Sequence, residues 1–153
     1  MRIELTRRGD YAVRAMLVLA READGFMSGP ELVAATAIPE AFLPQVMGDL
    51  VRAGLVDNRR GRRGGYRLAR PASAISLLDV VEAVEGDGRR RTCVLRGGPC
   101  RRDGPCDVHD AFFRAQEAVF GTLASVSFAD LPHRLGSVKP GGHEEARPDA
   151  GRA

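Results

Sequence analysis

Between residues 28 and 69 the chain carries helix and turn signals in an order that few folds accept. Ser28-Gly29-Pro30-Glu31 sets a hydroxyl and a carboxylate three residues apart, the reciprocal cap that opens a helix. That helix, through Leu32, Val33 and Ala35, is short, because Thr36-Ala37-Ile38-Pro39 breaks it. A second helix follows at once. Leu43, Val46, Met47 and Leu50 share one face, and Gly54 closes the end. Pro44 is tolerable only within the first turn, so this helix is expected to start near Glu40 or Ala41. Two strand-like arms come next. Leu55 to Arg59 and Tyr66 to Ala69 flank Gly61-Arg62-Arg63-Gly64-Gly65, whose glycines allow the positive backbone angles of a hairpin.

The flanking segments extend the helical count. Residues Arg8 to Glu22 repeat apolar side chains at helical spacing through Tyr11, Ala12, Ala15, Met16, Leu19 and Ala20. Ser76 with Asp79 caps a helix from Leu77 to Glu85, closed by Gly86. Residues 87 to 106 are rich in Gly, Arg and Cys and have no period. Asp107 to about Ala124 reads as a longer helix. Its seam of Val108, Phe112, Ala115, Val119, Thr122 and Val126 is spaced alternately four and three apart, which suits packing against another helix. Ser127 opens a short final turn through Asp130 and Leu131. Beyond Gly136, Gly, Pro and charge dominate, a composition that predicts a disordered tail.

Helix, capped helix, tight turn, helix and Gly-tipped hairpin is the order of a winged helix-turn-helix. The expected fold is therefore mainly α with a small β-hairpin, a winged helix-turn-helix domain plus a long dimerisation helix. The expected organisation is a DNA-binding domain at 1–86 and a cysteine-rich loop at 87–106. The dimerisation helix and terminal turn take 107–135, and the tail 136–153. The third helix would present Ala41, Pro44, Gln45, Gly48 and Arg52 to a major groove, with Gln45 able to bond a base edge. From Arg52 to Arg70 there are seven arginines and one acid, Asp57, a local net of +6. Arg59, Arg60, Arg62 and Arg63 cluster at the hairpin tip, where guanidinium geometry suits phosphates and the minor groove. A plain solvated basic loop is the competing reading. The preceding helix order favours double-stranded DNA as partner.

The whole chain is less distinctive. It has 153 residues with formal net charge +3, and Lys139 is its only lysine. Aromatics make up only 5%, so the core must rest on Leu, Val and Ala. The charged first ten residues do not read as a signal peptide. The longest apolar stretch, Ala15 to Ala20, is far short of the ~20 residues of a membrane span. A cytoplasmic location without membrane contact is therefore expected. The three cysteines are Cys93, Cys100 and Cys106. An odd, clustered set argues against a disulfide scaffold and toward metal or redox chemistry. His109 follows Cys106 by three residues, so both can face one way. Three thiolates and an imidazole could hold zinc or an iron–sulfur cluster. The wide spacing suits an object larger than one ion. No Cys-x-x-Cys pair, phosphate loop or nucleophile–base set is present, which argues against an enzyme.

At this point the chain resembles the Rrf2 family of winged-helix repressors, which includes an iron–sulfur cluster regulator (IscR) branch and a nitric-oxide-sensing (NsrR) branch. The resemblance rests on Leu5 to Met16, on Gln45 to Val56, on Gly61 to Leu68, on Ile75 to Glu85 and on the three cysteines. It covers about residues 1 to 135. It implies a homodimer held by the long helix and a cluster that controls promoter binding. Cys93, Cys100 and Cys106 match the family's cysteine ligands, and His109 the fourth ligand of the cluster-regulator branch. Asp10 matches the carboxylate that the nitric-oxide branch supplies from the partner subunit. Two features depart from the cluster-regulator pattern: the first cysteine gap is one residue longer, and Pro44 replaces a DNA-contacting Glu.

The two ligand sets differ in charge. A two-iron cluster (2Fe–2S) with three thiolates and neutral His carries one fewer negative charge than a four-iron cluster (4Fe–4S) with three thiolates and a carboxylate. The shared helix face of Cys106 and His109 favours 2Fe–2S. Asp10 also has a purely structural reading, as an acid favoured at a helix start. A zinc- or thiol-dependent DNA-binding regulator without a cluster is the alternative function.

Overall fold

The computed structural model describes residues 3–22, 25–86, 95 and 107–132. Five α-helices and one hairpin follow in order: α1 Arg7–Arg21, α2 Gly29–Thr36, α3 Leu43–Arg52, β1 Val56–Arg59, β2 Gly65–Leu68, α4 Leu77–Glu85 and α5 His109–Ser125. A single turn of 3-10 helix, Ala72–Ala74, precedes α4. The mainly helical winged arrangement is the one that the order of caps and turns predicts.

Local chemistry sets most helix ends. Thr6 caps α1 by accepting from the Gly9 amide at 3.2 Å. Ser28 and Glu31 form the capping box of α2, and the Ser28 hydroxyl and amide both donate to Glu31 at 2.7 Å. Those two donors hold the Glu31 carboxyl below its ordinary range. Ser76 and Asp79 repeat the device at α4, whose limits match those expected. The break after α2 places Ala37 in the left-handed region, with φ 56°. Buried Thr36 serves it, donating to the Leu32 carbonyl at 2.6 Å and accepting from the Ile38 amide at 3.3 Å.

One helix start differs from expectation. The helical run of α3 begins at Leu43, not near Glu40 or Ala41. Residues 40–42 form a turn in which the Phe42 amide donates to the Pro39 carbonyl at 2.9 Å. Pro44 has no N–H to give the Glu40 carbonyl, so the regular ladder cannot reach back that far. The bond from the Val46 amide to the Phe42 carbonyl opens it instead.

The core lies between α1, α3, α4 and the base of the hairpin. Met16, Leu19, Leu32, Ile38, Met47, Leu50, Leu55, Ile75 and Val80 are buried there. Phe128, just beyond α5, enters the same core. It is held by its amide on the Ile75 carbonyl at 3.0 Å and by the Leu77 amide on the Val126 carbonyl at 2.9 Å. No residue of α5 is itself buried within the chain. Phe112, Ala115 and Thr122 of the expected seam are exposed, and Val108, Val119 and Val126 are half-buried. No helix among the described residues is long and apolar enough to cross a membrane. The tail expected at 136–153 lies outside the described residues.

Candidate nucleic-acid interface and metal-ligand segment

The amphipathicity of α3 sorts its side chains. Leu43, Val46, Met47 and Leu50 turn inward, while Pro44, Gln45 and Arg52 are exposed and Gly48 is half-buried. Ala41 is exposed in the turn before the helix. Phe42 lies against Tyr11 of α1, ring centroids 5.9 Å apart, and fixes the entry to α3. The five residues nominated for the groove thus lie on or beside the exposed side of this element. Arg52 also has a partner. It pairs with Asp49 three residues earlier, and Arg8 of α1 pairs with the same carboxylate. Asp49 is buried, while both guanidiniums reach the surface.

The wing pairs β1 and β2 antiparallel, with Val56 opposite Leu68 and Arg59 opposite Gly65. Two of its glycines, Gly64 and Gly65, are sterically required. A Cβ on Gly64 would lie 2.1 Å from the Arg59 carbonyl oxygen, and one on Gly65 (φ 138°) 2.3 Å from that of Met27. Met27 adds a bridge to the free edge of the hairpin, through its amide to the Tyr66 carbonyl at 2.9 Å and the return bond at 2.8 Å. Arg59, Arg60, Arg62 and Arg63 are all exposed. Arg59 alone of the four is given aromatic support: its Cζ lies 4.2 Å from the centroid of the Phe26 ring. Arg67 approaches the same ring at 4.7 Å and pairs with Asp57 across the strands at 3.2 Å. Phe26, Arg67, Arg8 and Asp49 are site features that the motif reading missed. The charge excess from Arg52 to Arg70 includes Arg67 alone of these four and says nothing of what holds it; Phe26, Arg8 and Asp49 lie outside that stretch.

The metal-ligand candidates are divided. Cys93, Cys100 and Cys106 lie outside the described residues. His109 is the first residue of α5, half-buried, with its ring nearly parallel to that of Phe113 at 6.2 Å. Asp10 sits in the first turn of α1 and faces Arg14, with Arg14 Nε 2.9 Å from one carboxylate oxygen and Nη2 2.6 Å from the other. Among the described residues, no group of three or more His, Cys, Asp or Glu side chains could hold a metal ion. In the sequence the cysteine segment follows α4. At the end of that helix Glu85 accepts from the Thr6 amide at 2.8 Å and hydroxyl at 2.7 Å. Gly9 leaves room for this carboxylate, since a Cβ there would lie 2.2 Å from Glu85 Oε1.

Comparison with known proteins agrees with this architecture. The model of the Rrf2 family, described as an iron-dependent transcriptional regulator, matches residues 5–134. The chain is 36% identical over 130 residues to protein aau3 of Rhizobium meliloti, covering 84% of each. Among solved structures it is similar to CymR, the global cysteine regulator of B. subtilis, with a TM-score of 0.72 and 25% identity over 84% of this chain and 95% of that one. It is also similar to T. potens IscR, with a TM-score of 0.69 and 26% identity over 84% of this chain and 85% of that one.

Proposed function

The chain belongs to the Rrf2 family of transcriptional regulators, which are not enzymes, and from that premise we propose that it is a homodimeric repressor whose grip on promoter DNA is set by an iron–sulfur cluster. The observation that carries the reading is the place of His109. It opens the helix whose apolar seam is at most half-buried by the described residues, so a candidate ligand and a candidate subunit contact share α5.

The donor set suits the cofactor. Cys93, Cys100 and Cys106 supply the soft thiolates that iron–sulfur clusters take, and His109 supplies an imidazole on the next helix. Asp10 is the weaker fourth donor, because it is already ion-paired with Arg14 of its own helix, which donates to one of its oxygens. His109 therefore favours the 2Fe–2S assignment. When bound, the cluster would supply a centre sensitive to redox state, iron supply and nitric oxide.

The chain's own residues do the reading of DNA. In a two-fold dimer the α3 helices enter successive major grooves about 34 Å apart. Gln45 offers a base-edge hydrogen bond, Arg8 and Arg52 lie at the surface for phosphates, and the wing arginines reach the neighbouring minor groove. The cysteine segment follows α4 in the sequence, and the last residue of α4, Glu85, accepts from Thr6, the cap of the helix that also bears Arg8. For cluster state to alter affinity, it must differ in free energy between the two arrangements of that contact.

Anaerobic purification with visible spectroscopy and metal analysis tests the assignment. A coloured protein with about two irons per chain is expected, bleached by Cys93→Ala, Cys100→Ala, Cys106→Ala or His109→Ala but not by Asp10→Ala. A colourless, zinc-loaded chain with intact DNA affinity would replace this reading with the zinc- or thiol-dependent one.

A further inference from the structure

Phe26 lies between α1 and α2, outside every motif named above, yet the hairpin is built around it. Met27 pairs with Tyr66, so the antiparallel register sets Phe26 across from Arg67, which is itself opposite Asp57. Side chains alternate along strands, so Asp57, Arg59, Arg67 and Phe26 share one face of the wing. Gly65, opposite Arg59, adds no side chain to that face and admits the 26–28 segment by close backbone approach.

Two guanidiniums then meet one ring, Arg59 at 4.2 Å and Arg67 at 4.7 Å, both within cation–π range. Their mutual repulsion is offset on one side only. Asp57 accepts from Arg67 Nε at 3.3 Å and Nη2 at 3.2 Å, whereas no carboxylate is paired with Arg59 among the described residues. Arg59 is held instead by the ring and by donation from its Nη2 to the Arg63 carbonyl at 2.6 Å. Its charge stays available and its long side chain is already ordered. Ordering such a side chain is a cost that association otherwise bears.

We propose that Phe26 is a positioning residue for DNA recognition, its ring holding the Arg59 guanidinium in one orientation toward the duplex while Asp57 neutralises the second guanidinium on the ring. The proposal rests on the DNA-binding reading above and adds to it a division of labour within the wing. Arg59 is a pre-set contact, and Arg60, Arg62 and Arg63 supply unspecific charge.

The test uses the full chain and a labelled duplex that the wild-type protein selects from a random-sequence pool, titrated by fluorescence anisotropy at several salt concentrations. Phe26→Leu should weaken binding about threefold to tenfold with no change in salt slope, because the charge remains. Phe26→Tyr, which keeps the ring, should bind within about twofold of wild type. Arg59→Ala should weaken binding and lower the slope by about one. In the Arg59→Ala background, Phe26→Leu should cost nothing further. Thermal unfolding of each variant separates these effects from loss of fold. Equal losses from Phe26→Leu with and without Arg59, or no loss at all, would overturn the positioning role alone. An Arg59→Ala variant with unchanged affinity and slope would overturn the wing's part in DNA binding, and this role with it.

Discussion

Arg8 near the start of α1 donates to the buried carboxylate of Asp49 on α3. Arg52 donates to the other oxygen of the same group. A carboxylate withdrawn from water needs such partners, and here Arg8 ties α3 to α1. Two cations against one anion also leave a net positive charge beside α3.

Asp49→Asn should therefore have two effects of different kind. Loss of charge-assisted hydrogen bonds should lower stability by about 1–3 kcal/mol in urea denaturation. The unmasked guanidinium should steepen the salt dependence of nonspecific DNA binding by about one. An unchanged denaturation midpoint would show that the triad holds nothing together.

Gly48→Ala separates folding from recognition. A Cβ at Gly48 would have Arg52 Nη1 at 3.9 Å, an ordinary contact, so the fold itself does not require glycine there. Alanine should stabilise the helix by about 0.5–1 kcal/mol. The same methyl sits on the side of α3 assigned to the groove and should weaken DNA binding. A variant improved in both respects would mean that this side of α3 does not face DNA.

Phe128→Ala tests whether the segment after α5 is part of the core. Phe128 is fully buried among residues of the winged domain. Its truncation should cost about 3–5 kcal/mol in chemical denaturation, with loss of α5 packing on α4. A loss below about 1 kcal/mol would place the side chain elsewhere.

The cap of α2 gives a pH signature. Glu31 lies below its ordinary value of 4.5, chiefly because the Ser28 hydroxyl donates to it and then because the Ser28 amide does. The group is thus less easily protonated in the folded chain than in the unfolded one. Its contribution is present above the ordinary value and is lost as pH falls through the lowered one. Glu31→Gln should be less stable than wild type at about pH 7, and the gap should close in acid as pH falls through the lowered value. A gap of constant size across that range would contradict the cap's role.

What could be read in the sequence was what neighbours along the chain decide. Ser28 with Glu31 and Ser76 with Asp79 announce their helices because both partners lie within one turn. Gly64 and Gly65 announce the hairpin because no side chain fits there. The start of α3 was misplaced by a few residues because the missing Pro44 amide acts on a carbonyl four positions back. Thr6 and Glu85 are 79 residues apart, and Arg8 and Asp49 are 41 apart, and nothing in either local pattern points to the other member. Phe26 was silent for the same reason: its partners come from the wing. The cysteines are the reverse case, conspicuous in the sequence but outside the described residues.

The most direct test is to measure one duplex against two forms of one preparation, the anaerobic iron-loaded protein and the same protein stripped by chelator. Cluster control predicts dissociation constants that differ by about fivefold or more, with the difference abolished in Cys106→Ala. Equal affinities for the two forms, at equal dimer content, would contradict it.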